Sequence, residues 1–156
     1  MRRFLTILFG GDETVSDGHA APSEAHVAAA ALMVEAARLD GTFGDDERDR
    51  IRALLVGHFQ LTPWVAGELL ARAEHTATES VAWQGFTRAI KDELPPEERI
   101  AVIEMLWEVV YADGRLHDYE ASLLRRVAGL LYVSDRDSGE ARLRVLARLG
   151  IPREPG

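Results

Sequence analysis

The feature that most constrains this chain is an acidic corner that occurs twice, 73 residues apart. Asp40-Gly41-Thr42-Phe43-Gly44-Asp45-Asp46-Glu47 aligns with Asp113-Gly114-Arg115-Leu116-His117-Asp118-Tyr119-Glu120. The two segments share Asp, Gly, a large apolar residue, Asp and Glu in the same order. Their flanks agree as well: Glu35 matches Glu108, Ile51 matches Leu124, Leu54 matches Val127, and Phe59 matches Tyr132. After a one-residue slip, Leu61-Thr62 matches Val133-Ser134. A supersecondary unit repeated inside one small chain predicts a pseudo-twofold fold in which neither half buries its apolar face alone.

The segments around these corners read as helices. Ser23 is placed to cap a helix rich in Ala, Val, Leu and Met that stops at Asp40-Gly41. A second helix runs from about Asp45 to His58. Thr62-Pro63 opens a third, which ends near Ala77, because proline at the first helical position sacrifices no needed N–H. A fourth is expected from about Glu79 to Glu93, and a fifth opens at Pro96. Residues 100–111 of that fifth helix are nearly all apolar, interrupted only by Glu104 and Glu108, so it should be surrounded by the others. A sixth (about Asp118 to Leu131) and a seventh (about Asp135 to Leu149, capped by Ser134) follow. No alternating strand pattern competes. The expectation is an all-α bundle of about seven helices over residues 23–150. Residues 1–22 are an apolar segment and linker, and 151–156 a tail.

With 156 residues the chain suits one core, and its hydrophobic fraction of 47% can fill it. The absence of cysteine excludes disulfides, zinc–thiolate sites and thiol nucleophiles. A formal charge of −8 disfavours nucleic acid and anionic lipid as partners. Residues 121–156 are richer in arginine, but interleaved leucines there read as an ordinary solvated helix face. The apolar run Phe4–Phe9 is too short for a signal core, and no stretch nears the roughly 20 apolar residues of a membrane span. A cytoplasmic protein is expected, with residues 1–9 available as an arm for a partner or for a second copy in a homodimer.

Two readings of the acidic corners follow from the residue types. In one, Glu47 and Glu120 fall near the third helical position, accept backbone N–H groups and, with Asp45, Asp46 and Asp118, favour the positive helix end. In the other, Asp40, Asp45 and Glu47, or Asp113, Asp118 and Glu120, gather around a divalent cation such as Ca²⁺, Mg²⁺ or Mn²⁺, with Glu35 and Glu108 behind them. Each corner is too short for the twelve-residue calcium loop. No catalytic constellation stands out. Glutamate is nowhere followed by histidine three residues on, as a bundle di-metal site would require. A competing enzyme reading uses Glu104, Glu108 and Asp113 as acid–base or metal-assisting carboxylates in a polar cleft, and it requires raised pKa values there.

The doubled Asp-Gly-x-apolar-x-x-x-Glu motif in a short acidic helical chain resembles the TerB family of tellurite-resistance proteins, over roughly residues 23–150. The resemblance implies a pseudo-twofold helical bundle, a non-enzymatic binding or scaffold role in tellurite or chemical-stress resistance, and acidic residues that bind divalent metal. By position the motif residues that the resemblance carries over are Asp40, Gly41 and Glu47, then Asp113, Gly114 and Glu120. Gly44 and His117 depart from the usual small acidic or proline start of the following helix.

Overall fold

The computed structural model describes residues 23–38, 43–79, 83–112 and 118–152, and the side chains of 77–79, 83–84 and 118–119 are not described. Seven helices are present among these residues: α1 Glu24–Arg38, α2 Asp45–Phe59, α3 Pro63–Glu79, α4 Trp83–Glu93, α5 Pro96–Val110, α6 Asp118–Leu130 and α7 Asp135–Leu149. The chain is all-α, as its sequence predicts. The apolar arm at residues 1–9 and its linker lie outside the described residues, as do Asp40 and Asp113 themselves. No described helix is long and apolar enough to cross a membrane.

The starts and stops have local causes. Ser23 accepts the His26 N–H at 3.0 Å, Thr62 the Val65 N–H at 3.1 Å, and Ser134 the Asp137 N–H at 3.0 Å. Each hydroxyl satisfies a donor that the first helical turn leaves without a partner. At the far end of α7, Gly150 takes a φ of 70°, and the Ile151 N–H reaches back to the Leu146 carbonyl at 3.0 Å. That is the closure glycine permits after a helix. By contrast, α2 and α6 end on non-glycine residues in the left-handed region, Gln60 at φ 56° and Tyr132 at φ 59°. One boundary differs from expectation. α3 continues through Glu79, and α4 begins only at Trp83. No Gly or Pro lies between Gly67 and Gly85, so nothing in the covalent chain breaks the helix near Ala77.

α5 lies at the centre, as its apolar content predicts. Val102 to Trp107, Val109 and Val110 are all buried, Glu104 among them. α1 packs against α3, α4, α5 and α2, while α7 and α6 cover the other side of α5. Alanines at 25, 28–31, 36 and 37 let α1 approach several neighbours closely. Trp107 is buried, and its indole N–H finds the buried Ser138 hydroxyl on α7 at 3.1 Å. The pairing leaves neither polar group orphaned in the core. Trp64 is exposed and Trp83 is not described at side-chain level.

Candidate functional site: the acidic corner of α2 and the cleft beside it

The first turn of α2 places three carboxylates in sequence, and they do three different things. Glu47 turns back on the helix start, where its Oε1 accepts the Gly44 N–H at 2.7 Å. This is the glutamate half of a capping box, with no side chain at Gly44 to supply the other half. Asp45 points to solvent and pairs with Arg48 at 2.9 Å. Arg48 also grips Glu74 of α3 with two bonds of 2.8 and 2.9 Å. That fork-on-fork hydrogen bonding holds the Glu74 carboxyl below its ordinary range. Asp46 is exposed and holds no ion pair among the described residues.

Phe43 closes this corner. It packs against the core from one side, while the Arg38 and Arg48 guanidiniums sit 5.5 and 5.2 Å from its ring centroid. The apolar residue of the motif therefore tucks inward, and it is clamped by cations as well. Glu35, aligned with Glu108, pairs with Arg38 at 3.3 Å.

Beside the corner lies an open cleft of about 150 Å³, lined by Ala37, Asp46, Glu47, Arg50, Ile51, Val109 and Ala112. Its wall joins the last turn of α1, the first turn of α2 and the end of α5. Ala37 stands three residues before Asp40, and Ala112 immediately precedes Asp113. The approaches to both acidic corners therefore meet at one cleft. Asp46, Arg50 and Ala112 were not legible as site residues in sequence. Asp46 sits in the same turn as Asp45, but only the packing of α2 on α5 decides which of the two faces the cleft.

Of the six candidate ligands, Asp45 and Glu47 are described and share one helical turn. Glu120 is buried in the first turn of α6, 3% exposed, and has an interaction of its own. Asp40 and Asp113 fall outside the described residues, as does the side chain of Asp118. Among the described residues no three histidine or carboxylate groups converge closely enough to hold a metal ion.

Glu104 and Glu108, the described carboxylates of the enzyme reading, are arranged otherwise than it requires. Glu104, on the buried face of α5, accepts hydrogen bonds from Arg144 at 2.9 Å and Arg148 at 2.7 Å. Arg148 also bonds Glu108 at 2.8 Å. Burial alone would push the Glu104 carboxyl up, but these two guanidiniums outweigh it and hold the group below its ordinary value. The expected raised pKa is not found at Glu104, and neither glutamate lines the cleft. Of the arginines read as a solvated face of α7, Arg136 pairs with Glu140 on α7 itself, while Arg144 and Arg148 are instead engaged with α5. Arg142 joins them, bonding the Tyr111 hydroxyl at 2.7 Å and lying over Trp107.

With this geometry in hand, a family comparison decides the assignment: the model for tellurite resistance protein TerB matches residues 26–143. The chain belongs to the TerB family. The match spans both acidic corners of this TerB-family protein and runs from the start of α1 into the middle of α7. Searches of curated proteins and of solved structures return no match.

Proposed function

We propose that this TerB-family protein is a non-enzymatic, cytoplasmic binding module whose two Asp-Gly corners together hold one divalent cation. The observation that carries the reading is the cleft in which Ala37 and Ala112 stand beside Asp46 and Glu47. The C-terminal ends of α1 and α5 both bring their negative dipole ends to it. In the sequence Asp40 follows α1 by two residues and Asp113 follows Ala112 directly, so each corner is proposed to supply its aspartate to the ion. A hard cation suits oxygen donors supplied in this way, and Arg50 on the same wall limits the excess negative charge.

The described donors would form part of the set, Asp46 through its free carboxylate and Glu47 through Oε2. The capping role of Glu47 uses only one oxygen, so capping and ligation are compatible. In this reading the two halves of the chain are copies of one unit. Each half has a capped helix three residues after a left-handed residue, at Gln60 and Tyr132, and each has an acidic first turn at α2 or α6. The ion pairs that consume Glu104 and Glu108 support a binding role over a hydrolytic one.

Calorimetric titration of the full chain with Ca²⁺, Mg²⁺ and Mn²⁺ tests the proposal. The expected result is one ion per chain with a Kd of about a millimolar or tighter. Asp40→Asn and Asp113→Asn should each weaken binding, because both corners serve the same ion. A flat titration would leave the corners as helix starts and nothing more, and two independent ions would contradict the shared site.

A further inference from the structure

We infer that the edge formed by α4 and α6 is a docking surface for an acidic segment of a partner protein. The surface is defined by Arg88 and Lys91 on α4, Arg125 and Arg126 on α6, and Tyr132 just after α6. α4 and α6 pack together, and the Lys91 ammonium lies 5.0 Å from the centre of the Tyr132 ring. Arg88 is one helical turn before Lys91, on the same flank of α4. Arg125 stands two turns before Tyr132. Between them Gly129 leaves the surface open, since a Cβ there would meet nothing within 4 Å.

Two observations set this edge apart. The first is charge. On α7 every arginine has an acceptor inside the fold: Glu140, the Tyr111 hydroxyl, or Glu104 and Glu108. Arg88, Arg125 and Arg126 are exposed and have no carboxylate partner among the described residues. Asp92, one turn beyond Arg88, makes no ion pair with it. A cationic strip without ion-pair partners is complementary to carboxylates at contact, and salt screens the chain's net charge of −8 beyond about 8–10 Å.

The second observation is Tyr132. Its φ of 59° is a conformation glycine adopts more cheaply, and its side chain is 73% exposed. The fold therefore gains little from a tyrosine here. Tyrosine beside arginines is, however, the composition that dominates protein–protein contact energies. An extended acidic segment would place carboxylates on the guanidinium forks and one apolar side chain on the exposed ring.

The test uses a fluorescein-labelled poly-glutamate peptide, ¹⁵N-labelled full-length protein and anisotropy. Amide shifts should concentrate at residues 88, 91, 125, 126 and 132. Arg125→Glu with Arg126→Glu should weaken binding roughly tenfold or more, while Arg136→Glu on α7 leaves it unchanged. Tyr132→Gly separates docking from folding: it should raise the Tm, or leave it unmoved, and still weaken binding. Shifts spread evenly over the surface, an unaltered affinity in the double variant, or a Tm lowered by Tyr132→Gly would overturn the inference. So would tighter binding to duplex DNA or to vesicles of anionic lipid than to the peptide. None of these outcomes depends on metal binding at the acidic corners.

Discussion

Replacing Glu104 by glutamine separates a structural carboxylate from a catalytic one. Glu104 is buried on α5 and receives Arg144 and Arg148 from α7 at 2.9 and 2.7 Å. A hydrogen bond to a charged group contributes about 1.5–3 kcal/mol when both partners are buried. Here the arginine side chains are 50% and 44% exposed, so water screens each bond and replaces part of it in the variant. Halving the two contributions leaves about 1.5–3 kcal/mol for Glu104→Gln, which corresponds to a Tm lowered by roughly 3–12 °C in a chain of this size.

The sign also depends on pH. The folded carboxyl is held below its unfolded value, so its contribution is present above the unfolded pKa. It is lost as pH falls through the folded pKa. The variant should therefore differ most from the parent at neutral pH and converge with it in acid. Urea unfolding followed by circular dichroism at several pH values reads both quantities. A general acid with a raised pKa predicts the opposite, because losing a charge that destabilises the fold at neutral pH makes the protein more stable. An unchanged or increased stability in Glu104→Gln would refute the reasoning.

Two further perturbations probe the frame around the site. Gln60→Gly should stabilise the protein by about 1 kcal/mol, since it relieves a left-handed residue at the end of α2; a loss in chemical unfolding would count against that account. Burial lowers the His58 pKa, with Glu104 and Glu108 opposing the shift and Arg148 adding to it, and burial likewise lowers that of His26 against Glu98 and Glu93. Both histidines are then favoured neutral in the fold. Their contribution is present above the ordinary imidazole value of about 6.5 and is lost as pH falls through the folded pKa. His58→Gln should accordingly shrink the drop in Tm between about pH 7.5 and pH 5.5, and an unchanged drop would contradict this.

What the sequence made legible was mostly local. Thr62-Pro63, Pro96 and Ser134 announce helix starts because the chemistry of a first turn is contained in two or three neighbouring residues. The near-continuous apolar run at 100–111 likewise locates the central helix without any knowledge of its neighbours. The corner's Phe43 and Glu47 adopt the inward and capping positions their types suggest.

What stayed hidden depends on residues brought together across long separations. Glu104 and Arg148 are 44 positions apart, and no periodicity joins them, so two glutamates on an apolar helix resembled a catalytic pair. The left-handed ends at Gln60 and Tyr132 carry no glycine to announce them. The Thr- and Glu-rich polar stretch near Ala77 resembles a helix boundary, although nothing in it stops a helix and α3 runs on to Glu79. The cleft is the same kind of case. Ala37 and Ala112 are featureless in sequence, and only the packing of α1, α2 and α5 gives them a common neighbour.

The most direct test of the shared cation site is paramagnetic broadening by Mn²⁺ in the ¹⁵N spectrum of the full chain. If one ion sits between the two corners, sub-stoichiometric Mn²⁺ should broaden the amides of Ala37, Asp46, Glu47 and Ala112 together and at the same concentration. Broadening confined to one corner, or scattered over acidic surface positions such as Asp49 and Asp92, would contradict it.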